Sequence, residues 1–394
     1  MMSSTTAKAF DAELLNYVGG RWVRSRSTER KAVLNPATAE TLAEVPLSAA
    51  GEVDEAVRAA TEAFRDWRAT PVTERIQPLY RLKALLEEEI DDVARTIVLE
   101  CGKTFAEAKG EIRRGIENVE VACGAPTLMQ GTNNEDVARG IDEHMIRQPL
   151  GVVAAITPFN FPAMIPLWFL PYAVATGNTF VLKPSDRVPT TAEAIVRLGE
   201  EAGFPPGVLG LVHGGKEAVD ALTAHDEVRA ISFVGSTPVA RHVYARSTAH
   251  GKRAQCQGGA KNPAVVLPDA DLDLSTRILA DSAFGCAGQR CLATSVAIAV
   301  GDARGPLLER IVADAEGRRV GSGLDEDVAM GPVISEASRE RTLSLIETGV
   351  QEGASLAAGG GPATVTGHAD GFFVQPTVLV LDDSAAQRKM LVAL

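Results

Sequence analysis

Apolar residues recur at three- and four-residue spacing through residues 52–120: Val53, Ala56, Val57, Ala60 and Phe64, then Ile76, Leu79, Leu82, Leu85, Leu86, Ile90, Val93 and Ile97. That period places them on one face of successive helices. Gly102 and Gly110 are expected to interrupt the run, and a further helix is expected through Gly115 to residue 122. From Gly151 the pattern changes to short β-branched runs: Val152-Val153-Ala154-Ala155-Ile156, Thr179-Phe180-Val181-Leu182, Val208-Leu209-Gly210-Leu211-Val212, Ala230-Ile231-Ser232-Phe233-Val234 and Ala264-Val265-Val266-Leu267. Helical segments near 191–202, 216–222 and 238–247 lie between four of these runs. The alternation predicts an α/β fold built on a doubly wound parallel sheet, with ligands at the C-terminal ends of its strands.

A strand-like Asn16-Tyr17-Val18-Gly19-Gly20-Arg21-Trp22 precedes the helices, and a polar, alternating stretch over residues 131–148 predicts an extended hairpin. A second α/β unit is expected from near Gly258, carrying Cys291, the run Val296-Ala297-Ile298-Ala299-Val300 and a helix over 305–315. With 394 residues, and about 150 per domain as a prior, two or three domains are expected. The net charge of −12 argues against nucleic acid as the main partner, because phosphate binding needs concentrated Lys and Arg.

The apolar run over 161–175 is broken by Pro162, Pro166 and Pro171 and is short for a membrane span. Residues 1–11 show no basic region followed by an apolar core, so the expected location is the cytoplasm. Five cysteines (Cys101, Cys123, Cys256, Cys286, Cys291) occur without a paired C-x-x-C or a His partner. Neither a metal site nor a disulfide framework follows, and in a reducing compartment all five stay thiols.

The segment carrying most chemistry is Phe284-Gly285-Cys286-Ala287-Gly288-Gln289-Arg290-Cys291, which offers a thiol nucleophile among small neighbours. Upstream stand Pro158-Phe159-Asn160-Phe161-Pro162 and Leu182-Lys183-Pro184-Ser185. The three motifs, in this order, resemble those of the aldehyde dehydrogenase superfamily. Arg114-Gly115-Ile116-Glu117-Asn118-Val119-Glu120, Gly259-Ala260-Lys261-Asn262 and Gly288-Gln289-Arg290-Cys291 make the CoA-acylating methylmalonate-semialdehyde dehydrogenases the most similar subfamily. The likeness runs from the N-terminus to about Thr377. It implies a Rossmann-type NAD-binding domain (1–126 and 149–257), an oligomerisation hairpin (127–148) and an α/β catalytic domain (258–394).

A thiolate suits aldehyde oxidation, because its carbonyl adduct expels hydride more easily than the free aldehyde and collapses to a thioester. Cys291 is the expected nucleophile, and Cys286 is expected to pack. By resemblance, the Asn160 side chain and the Cys291 backbone N–H would hold the adduct's oxyanion, each such donor contributing about 2.7–4 kcal/mol. Lys183 resembles the residue that binds the adenine ribose, and Asp186 falls where the family commonly has Glu. An acid there accepts ribose hydroxyls and repels a 2′-phosphate, which favours NAD over NADP. Gly235, Ser236 and Thr237 follow the strand run ending at Val234 and open a helix, a place for the pyrophosphate. Likeness to the family adds Thr157, Phe159, Ser185 and Gln257 to the cofactor set.

Gln257 departs from hydrolytic family members, which carry a glutamate four residues before the position of Lys261. Gln is no base, so the Cys291 thioester would await another acceptor, and CoA thiolate is the natural one. Arg114 and Arg290 match subfamily arginines suited to a substrate carboxylate. In the subfamily a His usually follows the Lys-Asn pair; here Pro263 stands there. Family chains also continue beyond the position of Leu394, through a Glu-x-Phe segment and a last strand, so the resemblance implies an incomplete catalytic domain with weakened NAD binding, reduced turnover and a disturbed homotetramer or homodimer. The expected activity is NAD-dependent, CoA-acylating oxidation of methylmalonate or malonate semialdehyde to propionyl-CoA or acetyl-CoA with loss of CO2. Two alternatives stay open: a hydrolytic dehydrogenase releasing a free acid, and a truncated, inactive paralogue that only binds nucleotide or partners.

Overall fold

A computed structural model describes residues 13–381. The expectations for 1–11 and for the chain's last residues, 382–394, lie outside the described residues. Strands β1 (Asn16–Val18), β2 (Arg21–Val23), β3 (Arg30–Leu34) and β4 (Thr41–Pro46) come first. Helices α1 (Ala50–Ala69), α2 (Val72–Arg75), α3 (Gln77–Glu88), α4 (Ile90–Cys101), α5 (Phe105–Cys123) and α6 (Ala125–Leu128) follow. Strands β5 (Thr132–Ala138) and β6 (Ile141–Met145) pair antiparallel as a fully exposed hairpin.

Then β7 (Val152–Ile156), α7 (Met164–Ala175), β8 (Thr179–Lys183), α8 (Pro189–Glu201), β9 (Leu209–Leu211), α9 (Lys216–Ala224), β10 (Val228–Val234), α10 (Thr237–Ala249) and β11 (Arg253–Gln257) alternate. The remaining elements are β12 (Asn262–Val266), α11 (Leu272–Phe284), β13 (Thr294–Ala299), α12 (Arg304–Gly317), α13 (Glu336–Gln351), β14 (Ser355–Ala358) and β15 (Val378–Val380).

The chain forms two compact units. Among the described residues, the first comprises 13–33, 42–97 and 109–258; the second comprises 34–41, 98–108 and 259–381. In the first, seven strands lie in the order β11-β10-β7-β8-β9-β1-β2. The pairs β11–β10, β10–β7, β7–β8 and β8–β9 are parallel, and β1 joins antiparallel to β9 and β2. β8 is buried at every position, as a parallel strand covered on both faces should be. The apolar face predicted for α1 buries Val53, Ala56, Val57 and Ala60 against Val152, Val181, Val212 and Ile231. Glu52 starts that helix by accepting the Ala49 N–H at 3.1 Å.

Two expectations about elements need correction. Gly110 does not break the helical run: α5 continues through it and Gly115, because a glycine costs an exposed helix only about 1 kcal/mol. Gly102 does break it. At φ +87° it occupies left-handed backbone, and a Cβ there would stand 2.8 Å from the side chains of both Pro36 and Pro332. The run at 264–267 also leaves the main sheet. β12 instead pairs parallel with β13 in the second unit, and β11 takes the edge position beside β10. The second unit buries two apolar clusters, one around Phe284, Met330, Val333, Phe372 and Val374, the other around Val266, Leu279, Ala303 and Leu307.

Candidate active site

In the second unit, α11 ends at Phe284 and the chain turns sharply. Cys286 (φ +52°), Ala287 (φ +50°) and Gly288 (φ +74°) are left-handed in succession, two of them with a Cβ. Such strain persists only where neighbours over-determine it. Glu107, in the first turn of α5, does much of that: Oε1 accepts the Cys286 N–H at 2.9 Å and the Arg290 guanidinium at 2.5 Å, while Oε2 accepts the Thr104 N–H at 2.9 Å. The guanidinium lies so close over Gly285 that a Cβ there would meet it at 2.4 Å. Gln289 takes the Ile334 N–H at 3.0 Å and donates to the Cys286 carbonyl at 3.1 Å. Asn262 donates to the carbonyls of Cys291 and Ala293, both at 2.9 Å.

The two cysteines of this loop differ in access. Cys286 is 1% exposed, whereas Cys291 is half-buried. A hydrogen bond from the Cys101 thiol holds the Cys286 thiol below its ordinary range against the opposing effect of burial. Of these two thiols, Cys291 is the one open to solvent.

In the first unit the expected cofactor residues gather at the C-terminal ends of β7, β8 and β10, where ligands bind in open α/β sheets. Thr157 leaves β7 and donates its N–H to the Lys183 carbonyl at 3.1 Å. Lys183 ends β8 with a side chain only 6% exposed, and burial lowers its ammonium pKa from 10.5 to about 8. Asp186 opposes that shift and Lys31 adds to it. Ser185 Oγ accepts the Arg187 N–H at 3.2 Å and shapes the turn. Gly235 donates its N–H to the Gln257 carbonyl at 3.1 Å, so a pyrophosphate at this turn would meet the Ser236 and Thr237 end of α10 rather than the Gly235 amide.

Phe159 and Asn160 are half-buried on the turn between β7 and α7. The buried Glu111 of α5 fixes that turn: its Oε1 accepts the N–H groups of Ala163 and Met164, at 2.8 and 3.1 Å, where α7 begins. Arg114, three residues on, is exposed. Its carbonyl accepts from Asn118, which in turn accepts the Tyr172 hydroxyl at 3.0 Å. An open cavity of about 520 Å³ is lined by Asn118, Trp168, Phe169, Tyr172, Gln255 and Gln257.

Cys291 and Arg290 thus share the second unit, while Asn160, Thr157, Phe159, Lys183, Ser185, Asp186, Gly235, Ser236, Thr237, Gln257 and Arg114 belong to the first. Sequence reasoning missed Glu107, Glu111, Asn262 and Lys31. Asn262 lay inside a quoted motif, but nothing in the sequence pointed to the carbonyls it holds.

The chain is 52% identical to malonate-semialdehyde dehydrogenase 2 of Geobacillus kaustophilus (strain HTA426) over 365 residues, 93% of this chain and 75% of that protein. The crystal structure of methylmalonate-semialdehyde dehydrogenase from Oceanimonas doudoroffii superposes with a TM-score of 0.92 at 44% identity, covering 96% of this chain and 78% of that one. An NAD+ complex of aldehyde dehydrogenase from Bacillus cereus gives 0.91 at 31% identity, with 98% and 79% covered. The Aldehyde dehydrogenase family profile matches residues 22–389, and with these likenesses the chain belongs to the aldehyde dehydrogenase family.

Proposed function

We infer that this chain is an NAD-dependent, CoA-acylating dehydrogenase of malonate or methylmalonate semialdehyde. The observation that carries the reading is a half-buried Cys291 on a pinned, strained loop of the second unit, in a sequence that has Gln257 where hydrolytic relatives have a base. The names of the 52% identical relative and of the Oceanimonas structure support the substrate class, and the NAD+ complex of the Bacillus cereus structure supports the cofactor. The first unit is assigned to nucleotide binding, the second to catalysis, and the exposed β5–β6 hairpin to subunit association. Its expected place is the cytoplasm, and among the described residues no helix is long and apolar enough to cross a membrane.

Bound NAD would supply a hydride acceptor. Lys183, Asp186, Ser185, Thr157 and Phe159 would hold its adenosine half, and Ser236 and Thr237 its pyrophosphate. The cluster fits such a ligand: Lys183 keeps an ammonium at a strand end despite the cost of burying it. Cys291 Sγ adds to the aldehyde carbonyl, with its own N–H and Asn160 Nδ2 as donors to the oxyanion. The thiol proton leaves on addition; collapse of the oxyanion would then expel hydride from the adduct carbon to bound NAD and leave a thioester on Cys291. CoA thiol exchanges onto the acyl carbon and frees Cys291. The bond between the α-carbon and the substrate carboxylate breaks to release CO2, and the α-carbon takes up a proton, so one semialdehyde, one NAD and one CoA give one acyl-CoA, one NADH and one CO2. Arg290, already held by Glu107, and the exposed Arg114 are the cations assigned to that carboxylate.

The test is NADH production by the purified chain with malonate or methylmalonate semialdehyde, with and without CoA. Sustained turnover that requires CoA and yields acetyl-CoA or propionyl-CoA is the expected result. CoA-independent turnover to a free acid would replace this reading with the hydrolytic one.

A further inference from the structure

The acid that follows β8 does not stand alone. Lys31 Nζ lies 2.6 Å from Asp186 Oδ2, an ion pair between residues 155 apart in sequence. The side chains are 43% and 28% exposed, open enough for a ligand to meet both. Behind them Lys183 closes the strand end, and both Asp186 and Lys31 act electrostatically on its ammonium. Two ammonium groups therefore face one carboxylate.

A lone carboxylate at this place would accept a ribose hydroxyl and repel a 2′-phosphate. Pairing with Lys31 changes both terms. Asp186 keeps Oδ1 for a hydroxyl while its charge is offset, and the Lys31 ammonium has three donors on a flexible stem, of which the ion pair uses one. Resting on the reading that this strand end holds the adenine ribose, we propose that Lys31 is a cofactor-discriminating residue that admits the 2′-phosphate of NADP alongside NAD. Asp186 then acts as a tether for the ammonium rather than as a barrier to phosphate.

Calorimetric titration of the whole chain with NAD and with NADP, without substrate, tests this independently of turnover. The wild type is expected to bind NADP within about tenfold of NAD. Lys31→Met is expected to weaken NADP by about tenfold or more and NAD by less than about threefold, the loss of one charge-assisted contact to phosphate. Asp186→Asn, which frees the ammonium without disturbing Lys31, is expected to tighten NADP and decides the matter should Lys31→Met fail to fold. NAD binding with NADP weaker by more than about a hundredfold, or equal weakening of both by Lys31→Met, overturns the proposal and leaves the dinucleotide site standing. Failure of either dinucleotide to bind the folded wild type overturns the dinucleotide reading and this proposal together.

Discussion

Glu111 and Glu107 stand one turn apart on α5, and each clamps a loop that carries a site residue, yet the two regions use them differently. Glu111, in the first unit, is 2% exposed and accepts two neutral backbone N–H groups at the start of α7. Glu107, in the second unit, has a side chain 18% exposed and accepts a guanidinium as well as backbone N–H groups. The first arrangement is a buried helix cap, whose loss would strand polar groups inside the protein. The second is a charge-assisted clamp on a strained turn, whose loss would relax a loop that water already touches. Identical side chains on one helix thus serve stability in one region and geometry in the other.

The largest effect is expected at Glu111. Glu111→Ala leaves the Ala163 and Met164 N–H groups buried without this acceptor, at about 1–3 kcal/mol each, so a loss of about 3 kcal/mol in denaturant unfolding is expected. An unchanged midpoint would mean that the cap contributes nothing. At Glu107 the comparison predicts the opposite split. Glu107→Gln should cost less than about 1 kcal/mol of stability, because the ion pair is partly exposed. Turnover should nevertheless fall by about tenfold as Arg290 and the Cys286 turn lose their anionic anchor, about 1.4 kcal/mol in the barrier. Equal losses of stability and turnover in both variants would dissolve the distinction.

The same contrast explains what the sequence made legible. The strands β7, β8 and β10 announced themselves because a parallel strand buried on both faces must be apolar nearly throughout. β11 did not: Arg253, Gln255 and Gln257 are exposed on an edge strand, and five residues of which three are polar lack the apolar run that marks the central strands. Cys291 and Asn160 can be proposed from sequence because reactive groups sit in short local motifs. Their supports cannot, since Glu107 meets Arg290 across 183 residues, Glu111 meets Ala163 across 52, and Lys31 meets Asp186 across 155. Contacts at such separation leave no periodicity, and an isolated Glu or Lys looks like solvated surface until the fold closes around it. The units differ here too. β12 and β13 alternate in burial and expose Val265 and Ile298; the run at 264–267 reads as one more member of the main sheet and the run at 296–300 as part of the second unit, and neither hints at the parallel pair they form.

A buried cation sharpens the comparison from the other sign. Among the described residues Lys183 has no direct carboxylate clamp of the kind Arg290 receives, and burial lowers its pKa from 10.5 to about 8. In the unfolded chain the same amine keeps its ordinary value, so between about pH 8 and 10.5 the unfolded state binds more protons than the folded one. Stability therefore rises with pH through that window: the cost of the buried charge is fully present below about pH 8, is relieved as the folded amine loses its proton, and stops changing above about 10.5. From pH 7 to 9 the wild type should gain about 1 kcal/mol relative to Lys183→Met, which has no proton to lose. Urea unfolding of both proteins across that range measures the difference directly. A flat difference would mean that the Lys183 ammonium finds, within the first unit, a partner as effective as the one Glu107 gives the partly exposed Arg290.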